Sequence, residues 1–550
     1  MKRAVYFPLL IVLVLIFSCQ QADNTLAERA MDIHDRVLTA DTHVDTPYML
    51  LQPGFDITKV NDRNQGGGQV DFPRMKQGGL DAVFFAVYMD QGDRTQQDFE
   101  AAVANAHERL TLLHETIQKH PDWVKLALTP DDAYRIEKEK KRAMFLSIEN
   151  GYPMGLDLDL ITAYYDRGVR MSGLCHSGTN EICDSATDEP EHGGLSDVGK
   201  EVVREMNRVG MLVDVSHISD EAFFDVVETS RVPVTASHSS SRAMCDSPRN
   251  MTDAMLEALA ENGGVIQLCL LSSFIKKIDQ DPRREEALEK LDKKYPERRQ
   301  SEDEQKKYEE ERREIDRMYP RKRATVADAV DHIDHIVELI GIDHVGIGSD
   351  FDGGGGLEDC MDASELGNVT FELVKRGYTE EQIRKIWGGN LMRIMREAQQ
   401  FAEKDLVYHF GYGSNLSTKF LRQSCPNVKP VMKAYLPNFR VEFRFYSKTR
   451  EGGISSIIEY PGEMTHGIIY SMPKKEMDEL DIVESVPEGL YTRETFLVLG
   501  EDGKWHKADL YRVANPQGPF APAKSYLRLM LEGAREHKMD PKFILWLESL

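Results

Sequence analysis

The chain has 550 residues, 41% hydrophobic and 29% charged. That length exceeds one ordinary core, so two or more domains are expected, and the composition excludes a wholly disordered or fibrous protein. A formal net charge of -24 excludes a general nucleic-acid binder, whose phosphate contacts need an excess of Lys and Arg.

The chain opens with Met1-Lys2-Arg3, an apolar run over 4–17, and Ser18-Cys19. A basic start and a run this short fit a signal segment better than a membrane span. With Gln20 and Gln21 behind it, the segment resembles a bacterial lipoprotein signal, in which Cys19 receives lipid and becomes the mature N-terminus. A plain cleaved signal and an uncleaved anchor are the competing readings. The resemblance implies an exported protein, lipid-anchored in the bacterial cell envelope and facing the periplasm in a Gram-negative cell. Residues 1–19 are then the signal and 20–31 a tether. Cys175, Cys183, Cys245, Cys269, Cys360 and Cys425 lack the Cys-x-x-Cys spacing of a zinc site. They are expected as buried thiols or as one or two disulfides, which an exported location permits.

From residue 37 onward, strand-like apolar runs end at polar residues and alternate with helix-like segments such as 196–208 and 220–229. The first leads into Asp41-Thr42-His43-Val44-Asp45, and seven more cover 81–88, 143–149, 168–176, 210–217, 232–238, 263–271 and 344–350. Eight such units predict a (β/α)8 TIM-type barrel over 32–403. A doubly wound open sheet is the alternative, but it has no need of eight strands. Between the last two strands, 276–323 is dense in Glu, Lys and Arg and reads as solvated helix, either a hairpin over the barrel mouth or a plain excursion. The barrel's last helix covers 380–401, interrupted at Gly388-Gly389-Asn390. A second domain, 406–550, mixes strand-like stretches at 440–445, 467–472, 494–498 and 507–513 with helices at 474–482 and from 523. That mixture predicts a small α+β or barrel-like domain.

In such a barrel the C-terminal strand ends converge on one face, where the loops build the active site. His43, Asp45, Glu149, His176, His217, His238 and Asp350 all fall at strand ends, so four of the 16 histidines gather there with three acids. His43 and Asp45, two apart on a strand, project to one side. Imidazole and carboxylate suit Zn2+, though the same ligands accept cobalt or manganese. Three histidines and two acids are too many for one open zinc site but suit two, with Glu149 bridging, His43 and Asp45 on one ion, and His217 and His238 on the other. Two such ions can hold a hydroxide between them and polarise a carbonyl.

These motifs, in this order, resemble the membrane dipeptidase (renal dipeptidase) family of binuclear zinc barrels over about 32–403. The family's His-x-Asp pair, bridging glutamate, Ser-His strand endings and Gly-Asp-Phe-Asp-Gly-like terminus match His43/Asp45, Glu149, His217, His238 and Ser349-Asp350-Phe351-Asp352-Gly353. The resemblance implies two Zn2+ per barrel and hydrolysis of dipeptides by a metal-bridging hydroxide. It implies that His176 steadies the oxyanion, that Arg249 grips the substrate carboxylate, and that Asp350 sits near the substrate amine and shuttles protons. A guanidinium pairs with a carboxylate through two parallel hydrogen bonds, so Arg249 would select a free C-terminus. Asp352 competes with Asp350 as the acid. His332 and His335 lie in a run of helical period and read as structural, and Trp387 and the methionines as core. Alternative functions are another amidohydrolase acting on N-acyl amino acids or lactones, and a peptide-binding lipoprotein without catalysis. A homodimer stays open.

In the second domain, Tyr412, Gly413, Ser414, Asn415 and Leu416 form a Tyr-Gly-Ser-Asn-Leu loop, and Leu480-Asp481-Ile482-Val483-Glu484 follows. Together they resemble the gamma-glutamylcyclotransferase family over 407–513. The resemblance implies that main-chain N–H groups of the loop hold the glutamyl end. It also implies that Glu484 is the base that frees the α-amine to attack its own γ-carbonyl, releasing 5-oxoproline. Ser485 stands where the family usually places Gly, so a different local turn is expected. A non-catalytic binding module is the rival. A cyclotransferase acting on a γ-glutamyl tripeptide would release a dipeptide, the first domain's substrate class, and the covalent link would raise its local concentration.

Overall fold

The structure is a computed structural model that describes residues 25–550 apart from 64–65, 156, 297–301 and 405. The expected signal segment, tether start and Cys19 lie outside the described residues. Among the described residues no helix is long and apolar enough to cross a membrane. The chain divides into two compact units, one ending at Phe401 and the other covering Ala402–Leu550.

Nine parallel strands form the first unit: β1 (Ala40–Val44), β2 (Ala82–Tyr88), β3 (Val124–Leu126), β4 (Arg142–Glu149), β5 (Val169–Gly173), β6 (Leu212–Asp214), β7 (Thr235–Ser239), β8 (Val265–Cys269) and β9 (Val345–Gly348). Eight run in the order β1-β2-β4-β5-β6-β7-β8-β9, which is the predicted TIM-type barrel. The ring closes between β9 and β1, where Asp350 N–H donates to His43 O at 3.0 Å and Asp45 N–H donates to Phe351 O at 2.8 Å. The extra strand, β3, pairs with the first residues of β4, ahead of the stretch that β5 joins. At three residues it is too short to show a period in the sequence.

Helix starts are set by polar caps. Thr95, Thr129 and Thr325 each exchange hydrogen bonds with an aspartate three residues on, forming capping boxes at 96, 130 and 326. Gly210, at φ 84°, ends the helix Asp197–Val209 in the left-handed conformation that turns the chain into β6. The interruption at 388–390 belongs to a wide π-type turn over Lys385–Gly389. There a Cβ on Gly388 would come within 2.7 Å of Leu38 O, so the missing side chain lets the helix close on the barrel floor. The charged insertion is a pair of helices, Pro282–Lys294 and Glu302–Met318, with a small core of its own from Leu291, Tyr308 and Ile315.

The second unit is a closed barrel ordered β10-β12-β11-β13-β14, from β10 (Leu406–Gly411), β11 (Lys429–Ser447), β12 (Gly452–Pro473), β13 (Tyr491–Gly500) and β14 (Trp505–Val513). Its helices cover Lys474–Val483, Lys524–Glu536 and Pro541–Ser549. The strands β11 and β12 run to 19 and 22 residues, far beyond the stretches that the sequence pattern marks. Pro437 and Pro461-Gly462, ordinary strand breakers, sit instead at a bulge. Asn438 there takes φ 64°, and its side chain accepts the Gly462 N–H at 3.1 Å.

Candidate functional sites

At the C-terminal end of the first barrel, four imidazoles face one carboxylate oxygen. Glu149 Oε1, at the end of β4, lies 3.1 Å from His217 Nε2, 3.6 Å from His43 Nε2, 3.6 Å from His238 Nε2 and 3.7 Å from His176 Nε2. Asp45 Oδ2 is 3.6 Å from His43 Nε2, and the Nε2 atoms of His217 and His238 are 2.8 Å apart. Three groupings of donor atoms are close enough to hold a cation: His43 with Asp45 and Glu149; Glu149 with His217 and His238; and His43 with His238 and Asp350. Among these described residues Glu149, His43 and His238 each belong to two groupings, and of the three only Glu149 is a carboxylate, the ligand type with two oxygens to share between ions. His43 Nε2 is buried with no hydrogen-bond partner.

The tautomer of His238 follows from its neighbours. Ser237 Oγ donates to Asp214 Oδ2 at 2.6 Å and lies 2.8 Å from His238 Nδ1. A hydroxyl has one proton, so His238 Nδ1–H must donate to it, which leaves the Nε2 lone pair facing His217. Burial, and then the nearby charges of Arg249 and His43 respectively, hold His217 and His238 well below the usual imidazole range, so both are neutral. A neutral His217 with its proton on Nε2 donates to His238 Nε2 or Glu149 Oε1, and with its proton on Nδ1 it turns an Nε2 lone pair, beside that of His238, to a cation. The spacings among the five candidate ligands, 2.8–3.6 Å, lie near the roughly 3.3 Å edges of a tetrahedral zinc shell. The donor set therefore fits two ions.

Backbone strain gathers here. Of the ten non-glycine residues with positive φ among the described residues, Asn150, His217, Asp350 and Asp352 follow the site's strands, at 74°, 73°, 60° and 68°. A Cβ on Gly353 would come within 2.1 Å of Asp45 Oδ2 and 2.4 Å of Asp350 Oδ1, so glycine there lets the two carboxylates approach. Burial, and then the Asp45 charge, hold Asp350 well above the usual carboxylate range. Asp352 is already engaged, accepting Thr46 Oγ1–H at 2.7 Å and Gln69 N–H at 2.5 Å, so Asp350 is the freer acid. Asp41 supports the ring closure by accepting N–H groups from Ser349 and His43.

Arg249 lies in the loop after β7 and is buried, yet forms no ion pair with any described residue. It is aimed by Asn250, whose Nδ2 donates to Cys245 O and Phe274 O, both at 2.8 Å. His176 is kept neutral chiefly by burial, and Ser177 Oγ lies 3.0 Å from its Nδ1, so a serine donor leaves Nε2–H pointing into the site. His332 and His335 lie outside the cluster. His332 joins Ile275 O and Ser241 N–H, and His335 pairs with Asp253. Trp387 is core, and all six described cysteines are buried free thiols. Asp214 and Ser237 escaped the sequence reading, although the Asp-x-Ser-His and Ser-His patterns that end β6 and β7 carried the signal.

In the second unit a small cavity is lined by the 412–415 loop, Glu484 and Tyr491, Tyr511 and Tyr526. His409 Nδ1 lies 3.0 Å from Asp509 O, so Nδ1–H donates there and Nε2 accepts from Asn415 Nδ2 at 3.3 Å. The same amide donates to Glu484 Oε1 at 3.0 Å. Burial raises Glu484 above the usual range, against the Asn415 bond and the Arg450 charge. Ser485 takes φ 53°, so the turn after Glu484 keeps a glycine-type conformation despite the serine, contrary to the expected change.

Burial pushes His409 from the ordinary 6.5 down to about 4. Between those values the unfolded chain binds the proton and the folded one does not, so acidification favours unfolding. About 3 kcal/mol of this barrel's stability should be lost between pH 6.5 and 4. Denaturant midpoints at neutral and acid pH should show that loss, and His409→Gln should flatten it. Equal pH slopes in the two proteins would refute the assignment.

The model of the membrane dipeptidase family (peptidase family M19) matches residues 27–408, and that of the AIG2-like family matches 465–547. Dipeptidase tcpJ of Claviceps purpurea is 33% identical over 372 residues, covering 66% of this chain and 77% of the relative. Dipeptidase 3 of Rattus norvegicus is 28% identical over 396 residues, 70% of either chain. The crystal structure of the probable dipeptidase PvdM from Pseudomonas aeruginosa superposes with a TM-score of 0.60 at 31% identity, covering 69% of this chain and all of that one. The chain belongs to the membrane dipeptidase family, peptidase family M19.

Proposed function

We propose that the first barrel hydrolyses dipeptides bearing a free C-terminus and that two divalent ions, zinc by ligand type, complete its site. The convergence of four Nε2 atoms on Glu149 Oε1, with neutral imidazoles facing one another, carries this reading. When bound, the ions would supply an ionised water at neutral pH and polarise the scissile carbonyl. Arg249, buried and in no ion pair with a described residue, pairs with the substrate carboxylate. His176 donates from Nε2 to the carbonyl oxygen as charge develops there. Asp350 takes a proton and passes it to the leaving amine, as its raised proton affinity allows.

The test is a panel of L,L- and L,D-dipeptides beside N-acetyl amino acids and a lactone, given to dialysed protein and to protein with zinc restored. Dipeptide turnover should vanish on dialysis and return with the metal. Full activity in the dialysed protein, or a preference for the acylated amino acids or the lactone, would overturn the reading. Ser237→Ala should weaken metal binding by about 10–100-fold in competition with a chromophoric chelator, because His238 loses the partner that fixes its tautomer. Unchanged affinity would remove that role.

We also propose a second activity for the gamma-glutamylcyclotransferase-like domain, supported by the buried Glu484 held by Asn415 in the cavity. The α-amine nitrogen bonds to the γ-carbonyl carbon, the bond to the leaving nitrogen breaks, and the proton that Glu484 takes from the amine goes to that nitrogen. The products are 5-oxoproline and, from a γ-glutamyl tripeptide, a dipeptide for the first barrel. If purified protein cleaves dipeptides yet leaves every γ-glutamyl peptide intact, the domain is a binding module.

A further inference from the structure

Arg450 stands beside the second cavity, close enough for its charge to act on Glu484 but not paired with it. It lies in the turn 448–451 between β11 and β12, and that turn is fixed. Its N–H donates to Ser447 Oγ at 3.1 Å, Glu451 takes a left-handed φ of 54°, and a Cβ on Gly452 would come within 2.6 Å of Ala523 Cα. The guanidinium lies 5.6 Å from the ring of Tyr526, which lines the cavity, and 5.8 Å from Phe420, which does not, so it marks the rim. It forms no ion pair with any described residue.

Inside, the polarity is reversed. Glu484 is the one charged side chain among the lining residues, and Asn415 Oδ1 is buried beside it without a hydrogen-bond partner. These two acceptors suit an ammonium, and no lysine or arginine lines the wall to receive an anion. The main-chain N–H groups of the 412–415 loop are left for the glutamyl α-carboxylate, and a second carboxylate at the far end of an extended ligand finds its cation at the rim, in Arg450. A planar guanidinium flanked by aromatic rings binds a carboxylate through two parallel bonds, and the rings limit access of water to it.

The geometry points to Arg450 as the residue that holds the free C-terminal carboxylate of the leaving half of a γ-glutamyl peptide. The site therefore prefers γ-glutamyl peptides to γ-glutamyl amides and amines. The inference rests on the cyclotransferase reading of this domain and adds its substrate class. The released fragment then carries the same carboxylate that Arg249 selects in the first barrel.

Titration calorimetry on the full chain, in a Glu484→Gln background that blocks turnover, compares γ-glutamylglycine with its C-terminal amide. The acid should bind at least about tenfold more tightly, since a charge-assisted bond to Arg450 is lost with the amide. Arg450→Gln should bring the ratio to about one, and Arg450→Lys, which keeps the charge but not the fork, should retain part of it. The inference is overturned if neither ligand binds, if the parent shows no preference, or if the preference survives Arg450→Gln. It is also overturned if Arg450→Gln weakens acid and amide equally, because the guanidinium would then serve the glutamyl half. Release of 5-oxoproline by the wild-type chain is read separately. Its absence beside an intact preference would end the cyclotransferase activity and leave the carboxylate site standing.

Discussion

Replacing His217 and His238 together by alanine is expected to abolish dipeptide hydrolysis, by at least about 10^3-fold, because the ion proposed to sit on them would supply several kcal/mol of charge stabilisation at the carbonyl. The Nε2 atoms of this pair are 2.8 Å apart and lie 3.1 and 3.6 Å from Glu149 Oε1, so removing both strips one ion of its nitrogen ligands. Metal content after exhaustive dialysis into limiting zinc should fall from two ions per chain towards one, with His43, Asp45 and Glu149 still in place. Far-ultraviolet circular dichroism should be preserved, since both rings occupy the polar mouth of the barrel and β6 and β7 keep their neighbouring strands. Retention of activity and of two ions would refute the metal assignment outright.

The second large effect is on Asp350. Asp350→Asn should lower kcat by about 10^2–10^4-fold with little change in KM, the usual range for loss of a positioned proton carrier. Folding should survive the change. Residue 350 takes φ 60°, a conformation that asparagine tolerates as well as aspartate, and the N–H donors of Gly353, Gly354 and Gly355 reach its main-chain oxygen rather than its side chain. Asp352→Asn is the control. Its carboxylate ties Thr46 and Gln69 together, so that change should cost stability and leave kcat within a few-fold. The roles are reversed if Asp352→Asn lowers kcat as far as Asp350→Asn does.

Much of the first site was legible because one regularity served two purposes. Strand-length apolar runs ending at His, Glu or Asp predicted both the barrel and the residues that crowd its mouth. The two-residue spacing of His43 and Asp45 placed both on one side without any structure. Gly353 shows where that reading stops. Four successive glycines look like a flexible loop, and only the closing contact of β9 with β1 reveals one of them as the space into which Asp45 and Asp350 fit. The Asp214–Ser237–His238 chain was hidden for a similar reason, since it needs the adjacency of β6 and β7. In the second barrel Pro437 and Pro461 concealed the length of β11 and β12, because a proline at a bulge costs no ladder hydrogen bond.

From residue chemistry and spacing alone came the two domains, the alternating architecture of the first, and a donor set suited to two ions. Those features are local: a period of two along a strand and an imidazole beside a carboxylate. The tertiary structure decided which imidazoles meet, which of them burial keeps neutral, which of two neighbouring aspartates is free, and that an arginine from the turn between β11 and β12 stands beside a ring that lines the second cavity. Those are distances between chain segments tens to hundreds of residues apart, set by barrel closure and burial, and no local pattern records them.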